Sequence, residues 1–197
     1  LYNIIDRIYI ARIPHIGTTA LGAVGLCFPI IVIITAFSNL FGSGGAPLFS
    51  INRGKGNTKK AETIMNTSFS MMCICGVVLM VIGMLSASPI LVLFGASEEG
   101  LSYAYPYMMI YLIGTVPSMI ATGMNPFINA QGYATSGMLS VTIGAVANLI
   151  LDPLFIFGLH LGIKGAAIAT IISQTLSAAY VLSLIHISEP TRLRRIS

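Results

Sequence analysis

The chain has 197 residues, is 55% hydrophobic with a mean hydropathy of +0.89, and carries only 8% charged residues, far below the roughly 25% of a soluble domain. That composition excludes a water-soluble globular domain. The formal net charge is +4; setting aside residues 183–197, which hold Arg192, Arg194, Arg195 and Glu189, lowers it to +2, an excess too small to indicate nucleic acid as a partner.

The charges are bunched. No Asp, Glu, Lys or Arg lies between Glu62 and Glu98, or between Glu99 and Asp152. A helix needs about 20 apolar residues to cross a bilayer, whereas a membrane barrel shows alternating segments of about ten. The runs here are continuous and lack a period of two, so the expected fold class is all-α, a polytopic membrane helix bundle.

In chain order, Leu1 to Ile13 are apolar with Asp6, Arg7 and Arg12 interspersed, too short to span and shaped like the second half of a helix cut at its start. No signal-peptide pattern is present. The next run, from Ala20 to about Ser50, ends in a Gly-rich "GSGGAP" that suits a bend or close helix packing, and its Pro29 and Pro47 are tolerable where neighbouring helices satisfy the freed carbonyls. A third span falls at about 64–94, a fourth at about 103–128, a fifth at about 138–157 and a sixth at about 166–182. The expected architecture is five complete spans and part of a sixth, over residues 1–182.

Residues 183–197 form a separate unit. "LSLIHISEPTR", Leu182 to Arg192, resembles the in-frame translation of a transposase sequencing adapter, so the tail is expected to be non-native and carries no functional argument. A basic juxtamembrane segment is the alternative reading.

Lys and Arg accumulate on the cytoplasmic side of short loops. "NRGKGNTKKAE" holds Arg53, Lys55, Lys59 and Lys60, while "GASEEG" holds only acids. Loop 53–62 is therefore expected to be cytoplasmic and loop 95–100 external, at the cost of placing Arg12 and Lys164 outside. In this topology His15 and His160 fall in external loops, and His186 belongs to the tail.

Asp152 is the only acid between Glu99 and Glu189, and it lies inside an apolar span where a charge costs roughly 2.5 to 3.5 kcal/mol on insertion scales. Asn148 is one helical turn away on the same face. Pro153 has no amide to give the carbonyl near Leu149. Carboxylate, amide oxygen and free carbonyl are the hard oxygen ligands a small cation prefers, and a protonatable Asp serves H⁺ equally. Against this, Asp-Pro is a common turn or helix-start pair, and Asp152 as a plain cap is the competing reading.

Cys27, Cys73 and Cys75 lie in apolar runs and read as packing residues, with no redox or zinc spacing. The ten methionines, among them Met108, Met109, Met119 and Met124, read as helix-packing or lipid-facing gap fillers before they read as a drug-cavity lining. "GKGN" at Gly54–Asn57 lacks the spacing of a phosphate loop.

Three stretches carry a family resemblance: "LYNIIDRIYIARIPHIG" at the start, "GLCFPI" with "GGAPLFSINRGKGN" leading into "KKAE", and "NLILDPLFIFGLHLGIKGAAIATIISQ". In this order, over residues 1 to about 182, they resemble the N-terminal half of the multidrug and toxic compound extrusion (MATE) transporters. The resemblance implies one six-helix lobe, its first helix truncated, of a twelve-helix protein with two lobes around a central cavity open alternately to each side. It implies a multi-pass protein of the cell membrane that exports small organic, often cationic, drug-like compounds in exchange for Na⁺ or H⁺. Its partners would be the lipid bilayer and the missing C-terminal lobe, with no cofactor beyond the coupling ion. By the same resemblance Asp6 matches the first-helix acid and Thr170 a sixth-helix hydroxyl near the fifth-helix acid, so the ion-coupling set is Asp6, Asn148, Asp152 and Thr170, ligands to a metal ion only if that ion is Na⁺. Arg7 departs from the small polar residue often found after the acid.

A lipid-linked saccharide flippase of the same superfamily is the alternative, but it calls for cavity cations that the interior runs lack. An intramembrane enzyme is a third reading, but no paired acids, His cluster or nucleophile with its base stand in the spans.

Overall fold

A computed structural model describes the backbone of residues 2–14 and 16–188 and the side chains of 6–14 and 16–185; the expectations on His15 and His186 and most of the tail lie outside the described residues. Among the described residues every regular element is helical: α1 (Tyr2–Ile10), α2 (Gly17–Gly54), α3 (Thr58–Leu93), α4 (Glu98–Ile113), α5 (Thr115–Gly123), α6 (Asn125–Ala130), α7 (Ala134–Pro153), a π-helical turn (Leu154–Gly158) and α8 (Ile163–Ser188). Among the described residues four helices are long and apolar enough to cross a membrane, or five with α4 and α5–α6 counted together as one bent span. With the short α1 this is the expected set of five spans and a partial one.

The chain reverses where the local chemistry demands it. Gly56, Gly95 and Gly132 close the turns after α2, α3 and α6 with positive φ, a conformation that glycine alone adopts without a Cβ penalty. Asn57 starts α3 by accepting from the Lys60 amide at 3.1 Å, and Ser97 starts α4 by accepting from the Gly100 amide at 3.1 Å. Glu98 and Glu99 follow in the first turn of α4, where they face the positive end of the helix dipole. The basic loop 54–58, the turn 131–133 and the end of α8 lie at one end of the bundle. The acidic turn 94–99 and the link 158–163 lie at the other.

The fourth span, expected at about 103–128, is broken into α4, α5 and α6. The axis bends by 57° between α4 and α5–α6. Pro117 has no amide for the Ile113 carbonyl and Pro126 none for Thr122, and each ring also crowds the carbonyl four residues back. The breaks fall at those places, with Gly114 bonding back to the Tyr111 carbonyl at 3.0 Å.

The bend pushes α5 into the centre of the lobe, between α2, α3 and α8. The Gly-rich part of α2, read as a bend or a close approach, is a close approach: the segment stays helical through Pro47 to Gly54. A Cβ on Gly42 would collide with the Gly123 carbonyl of α5, and one on Gly45 would stand 2.5 Å from Ser68 Oγ and 2.6 Å from Phe127. The Ser38 hydroxyl donates to the Met119 carbonyl at 3.0 Å and shares a hydrogen bond with Thr122 at 2.6 Å, tying the same crossing.

The core is aliphatic and methionine-rich. Met72, Met108, Met119 and Met124 are buried, with Met109 half-buried against them, so these methionines fill gaps between helices as read. The three cysteines are free. On the outer face of α3, Ile74, Val78, Val81, Ile82 and Leu85 are exposed at helical spacing, the pattern of a lipid-facing stripe.

Candidate functional site

The fifth span carries the site to its place. Pro153 gives no amide to the Leu149 carbonyl, and the Leu154 amide goes to Leu151 instead. The chain then widens into the π turn, closed by the Leu159 amide on the Leu154 carbonyl at 2.9 Å. The next carbonyls, Phe155 and Ile156, accept from Leu161 and Gly162 at 3.1 and 3.3 Å, so this end of the span is satisfied. The Asp152 carboxylate caps no backbone amide, since Oδ1 accepts from Asn148 Nδ2 and Oδ2 has no protein hydrogen-bond partner, and it is fully buried. Gly165 allows the start of α8 to press on this turn, since a Cβ there would stand 2.7 Å from the Phe155 carbonyl.

Asp6 of α1, Asn148 and Asp152 of α7, and Thr170 of α8 meet in one cluster, each with 1% exposure or less. The Asn148 Nδ2 group donates to Asp6 Oδ1 at 3.1 Å and to Asp152 Oδ1 at 3.0 Å. The Thr170 hydroxyl donates to Asp6 Oδ2 at 2.9 Å. One amide thus bridges two carboxylates that are adjacent only in space, 146 positions apart in sequence. Arg7 does not neutralise them: its guanidinium lies 5.3 Å from the centre of the Phe28 ring.

The cluster is not self-sufficient. Asn148 Oδ1 and Asp152 Oδ2 are buried with no protein hydrogen-bond partner, although buried polar atoms almost always have one. Two carboxylates forced together in an apolar interior need a proton or a cation between them. Two unpartnered oxygens beside a carboxylate pair are what a small hard cation binds, or what a shared proton satisfies. The residues present fit either.

Four residues named from sequence are therefore brought together. His160 is not among them: it is exposed in the link before α8, in a left-handed conformation with φ 54°. Around the cluster stand groups that the sequence reading passed over. Tyr107, fully buried on α4, is within electrostatic reach of Asp6 and Asp152, and Tyr111 one turn on faces Gln174 and Ser118. Their signal was two tyrosines four apart inside an apolar span.

Comparison with known proteins agrees with this geometry. The MatE family profile matches residues 1–154. Over 192 residues the chain is 30% identical to a FAD transporter of Shewanella oneidensis, covering 94% of this chain and 42% of that protein. It is 29% identical to the multidrug export protein MepA of Staphylococcus haemolyticus, covering 92% and 40%. A crystal structure of a MATE protein in a bent conformation superposes with a TM-score of 0.91 at 27% identity, covering 100% of this chain and 44% of that one. An inward-facing multidrug resistance MATE transporter gives 0.88 at 27% identity, covering 93% and 41%. The chain spans about 40% of the length of the relatives it matches. From the family profile over residues 1–154 and the agreement of the whole helical lobe, the chain belongs to the MatE family, a family of transporters rather than enzymes.

Proposed function

We propose that this chain is the N-terminal lobe of a secondary active multidrug exporter, and that Asp6, Asn148, Asp152 and Thr170 form its coupling site for inward-moving H⁺ or Na⁺. The observation that carries the reading is the buried carboxylate pair bridged by Asn148, with Asn148 Oδ1 and Asp152 Oδ2 unpartnered. Binding a cation removes the penalty of the paired charges and emptying the site restores it, so occupancy biases the helices that meet there between two arrangements. The two helices carrying most of the cluster, α7 and α8, pack on each other along their length, and a change at the cluster is felt along both. Alternating access then requires the other lobe, which closes the substrate cavity.

The test is transport by the complete protein in proteoliposomes, with Na⁺ and pH gradients imposed separately. Organic cations such as ethidium belong in the assay because a relative is a multidrug exporter, and FAD because another is a FAD transporter. The expected result is export that accelerates at least about tenfold under one of the two gradients, as a coupling free energy of about 1.4 kcal/mol requires. Export indifferent to both gradients would refute the antiport reading.

We place the protein in the cell membrane with loop 53–62 in the cytoplasm and loop 95–100 outside, on the density of Lys and Arg in the first and of acids in the second. Single cysteines at Lys55 and Glu98, both exposed, report this with a membrane-impermeant thiol reagent on a background lacking Cys27, Cys73 and Cys75. Residue 98 is expected to label in intact cells and 55 only after permeabilisation; the opposite pattern inverts the topology.

A further inference from the structure

The cluster sits toward the acidic-turn end of the bundle. Thr170 is seven residues inside the start of α8 at Ile163, about 10 Å along the helix. An inward-moving cation has to leave from the opposite, basic-loop end, and the lobe is polar along one line in that direction.

On α8 the residues Thr170, Ser173, Gln174 and Ser177 fall at offsets of three, four and seven, one face of the helix, and all four are buried. Ser173 Oγ and Gln174 Oε1 have no protein hydrogen-bond partner. On α4 and α5, which both pack against α8, the Tyr107 hydroxyl and the Thr115 hydroxyl are likewise buried without a partner. Beyond this stretch the polar line continues through explicit hydrogen bonds. Ser177 Oγ donates to the Ser140 carbonyl at 2.8 Å, Asn125 Nδ2 donates to Ser140 Oγ at 2.9 Å and to the Gly137 carbonyl at 2.8 Å, and Asn129 Nδ2 donates to Asn125 Oδ1 at 3.2 Å. Asn129 is exposed, at the last turn of α6 before the 131–133 turn.

An unpartnered buried hydroxyl or amide is destabilising by about 1 to 3 kcal/mol. Four on three helices that pack on one another are kept when water completes their bonds, since an internal water makes two to four of them. Resting on the cation-site reading, we infer that Tyr107, Thr115, Ser173 and Gln174 line a file of internal water running from the carboxylate cluster to the Ser140–Ser177–Asn125 junction, and that the coupling cation leaves the cluster along it toward the basic-loop end. The groups that the cation meets are hydroxyl and amide oxygens, with no Lys, Arg or His among them. Tyr107, Tyr111 and Cys27 are the other titratable side chains around the cluster, from α4 and α2.

The test uses isosteres. In the complete transporter, Ser173→Val together with Gln174→Leu removes the two hydrogen-bonding groups, and Ser173→Thr with Gln174→Asn, matched to that pair in size, restores them. Substrate-triggered cation release from proteoliposomes is followed by a pH dye in one arm and by radioactive Na⁺ in the other, alongside equilibrium substrate binding. The apolar pair is expected to slow release at least tenfold in the arm that reports the coupling ion, with substrate binding unchanged and the polar pair restoring the rate. Release at the wild-type rate in the apolar pair overturns the file. So does equal slowing in both pairs, which would mark a packing role alone. Asp152→Asn, measured in parallel, separates the two ideas: if it stops coupling while the apolar pair does not, the cluster stands and the file falls.

Discussion

Asp152→Asn in the complete transporter is expected to abolish cation-driven export, a loss of at least about a hundredfold or roughly 2.7 kcal/mol, while expression and membrane insertion stay at wild-type level. The substitution keeps the size of the side chain. Its oxygen still accepts from Asn148 Nδ2, as Asp152 Oδ1 does at 3.0 Å, and its amide replaces the buried Oδ2 that has no protein partner. The hydrogen bond between the two side chains is therefore kept. What disappears is the charge that, next to Asp6, makes an empty cluster unfavourable and a filled one favourable. Efflux with imposed Na⁺ and pH gradients reads the result, with Glu99→Gln on the exposed acidic turn as the control for charge alone. Wild-type efflux from a well-expressed Asp152→Asn protein would reduce Asp152 to a structural residue.

The second large effect is on the fold. Gly42→Val is expected to prevent assembly of the lobe, with well under a tenth of the wild-type monodisperse protein recovered, whereas Gly44→Val is expected to be tolerated. The two glycines are two residues apart in one helix, but a Cβ at Gly42 runs into the backbone carbonyl of Gly123, and a Cβ at Gly44 meets nothing within 4 Å. Backbone cannot yield as a flexible side chain can, so α2 and α5 would have to separate, breaking the Ser38 hydrogen bonds to Met119 and Thr122 at the same crossing. Overpacking ordinarily costs about 1 to 3 kcal/mol, and the two lost hydrogen bonds add about 1 kcal/mol each. Size-exclusion profiles and thermal melting of detergent-purified protein measure it. Equal yields of the two variants would show that the crossing is not close-packed.

Residue order alone determined the fold class. Continuous apolar runs separated by charged or Gly-marked turns can only be transmembrane helices, because a backbone in hydrocarbon has to satisfy its own hydrogen bonds. The run from Thr63 to Ser97, free of charge, is such a case, whereas the capped start of α3 at Asn57, ahead of the expected start at about 64, was seen only in the structure. Asp152 and Asn148 were legible too, because a four-residue spacing on a helix fixes a shared face and an acid in an apolar span is conspicuous. Asp6 and Thr170 entered only by family resemblance: nothing local in "NIIDRIY" or "AIATIIS" says that these side chains lie beside Asp152. Sequence periodicity describes one helix at a time, and the cluster joins three, so only the packing of α1 and α8 on α7 decided it. The 57° bend of the fourth span and the Gly42–Gly123 contact belong to the same class. Pro117 and Pro126 permit a break, but its direction, and which glycine meets a neighbour, are set by the space that the other helices leave.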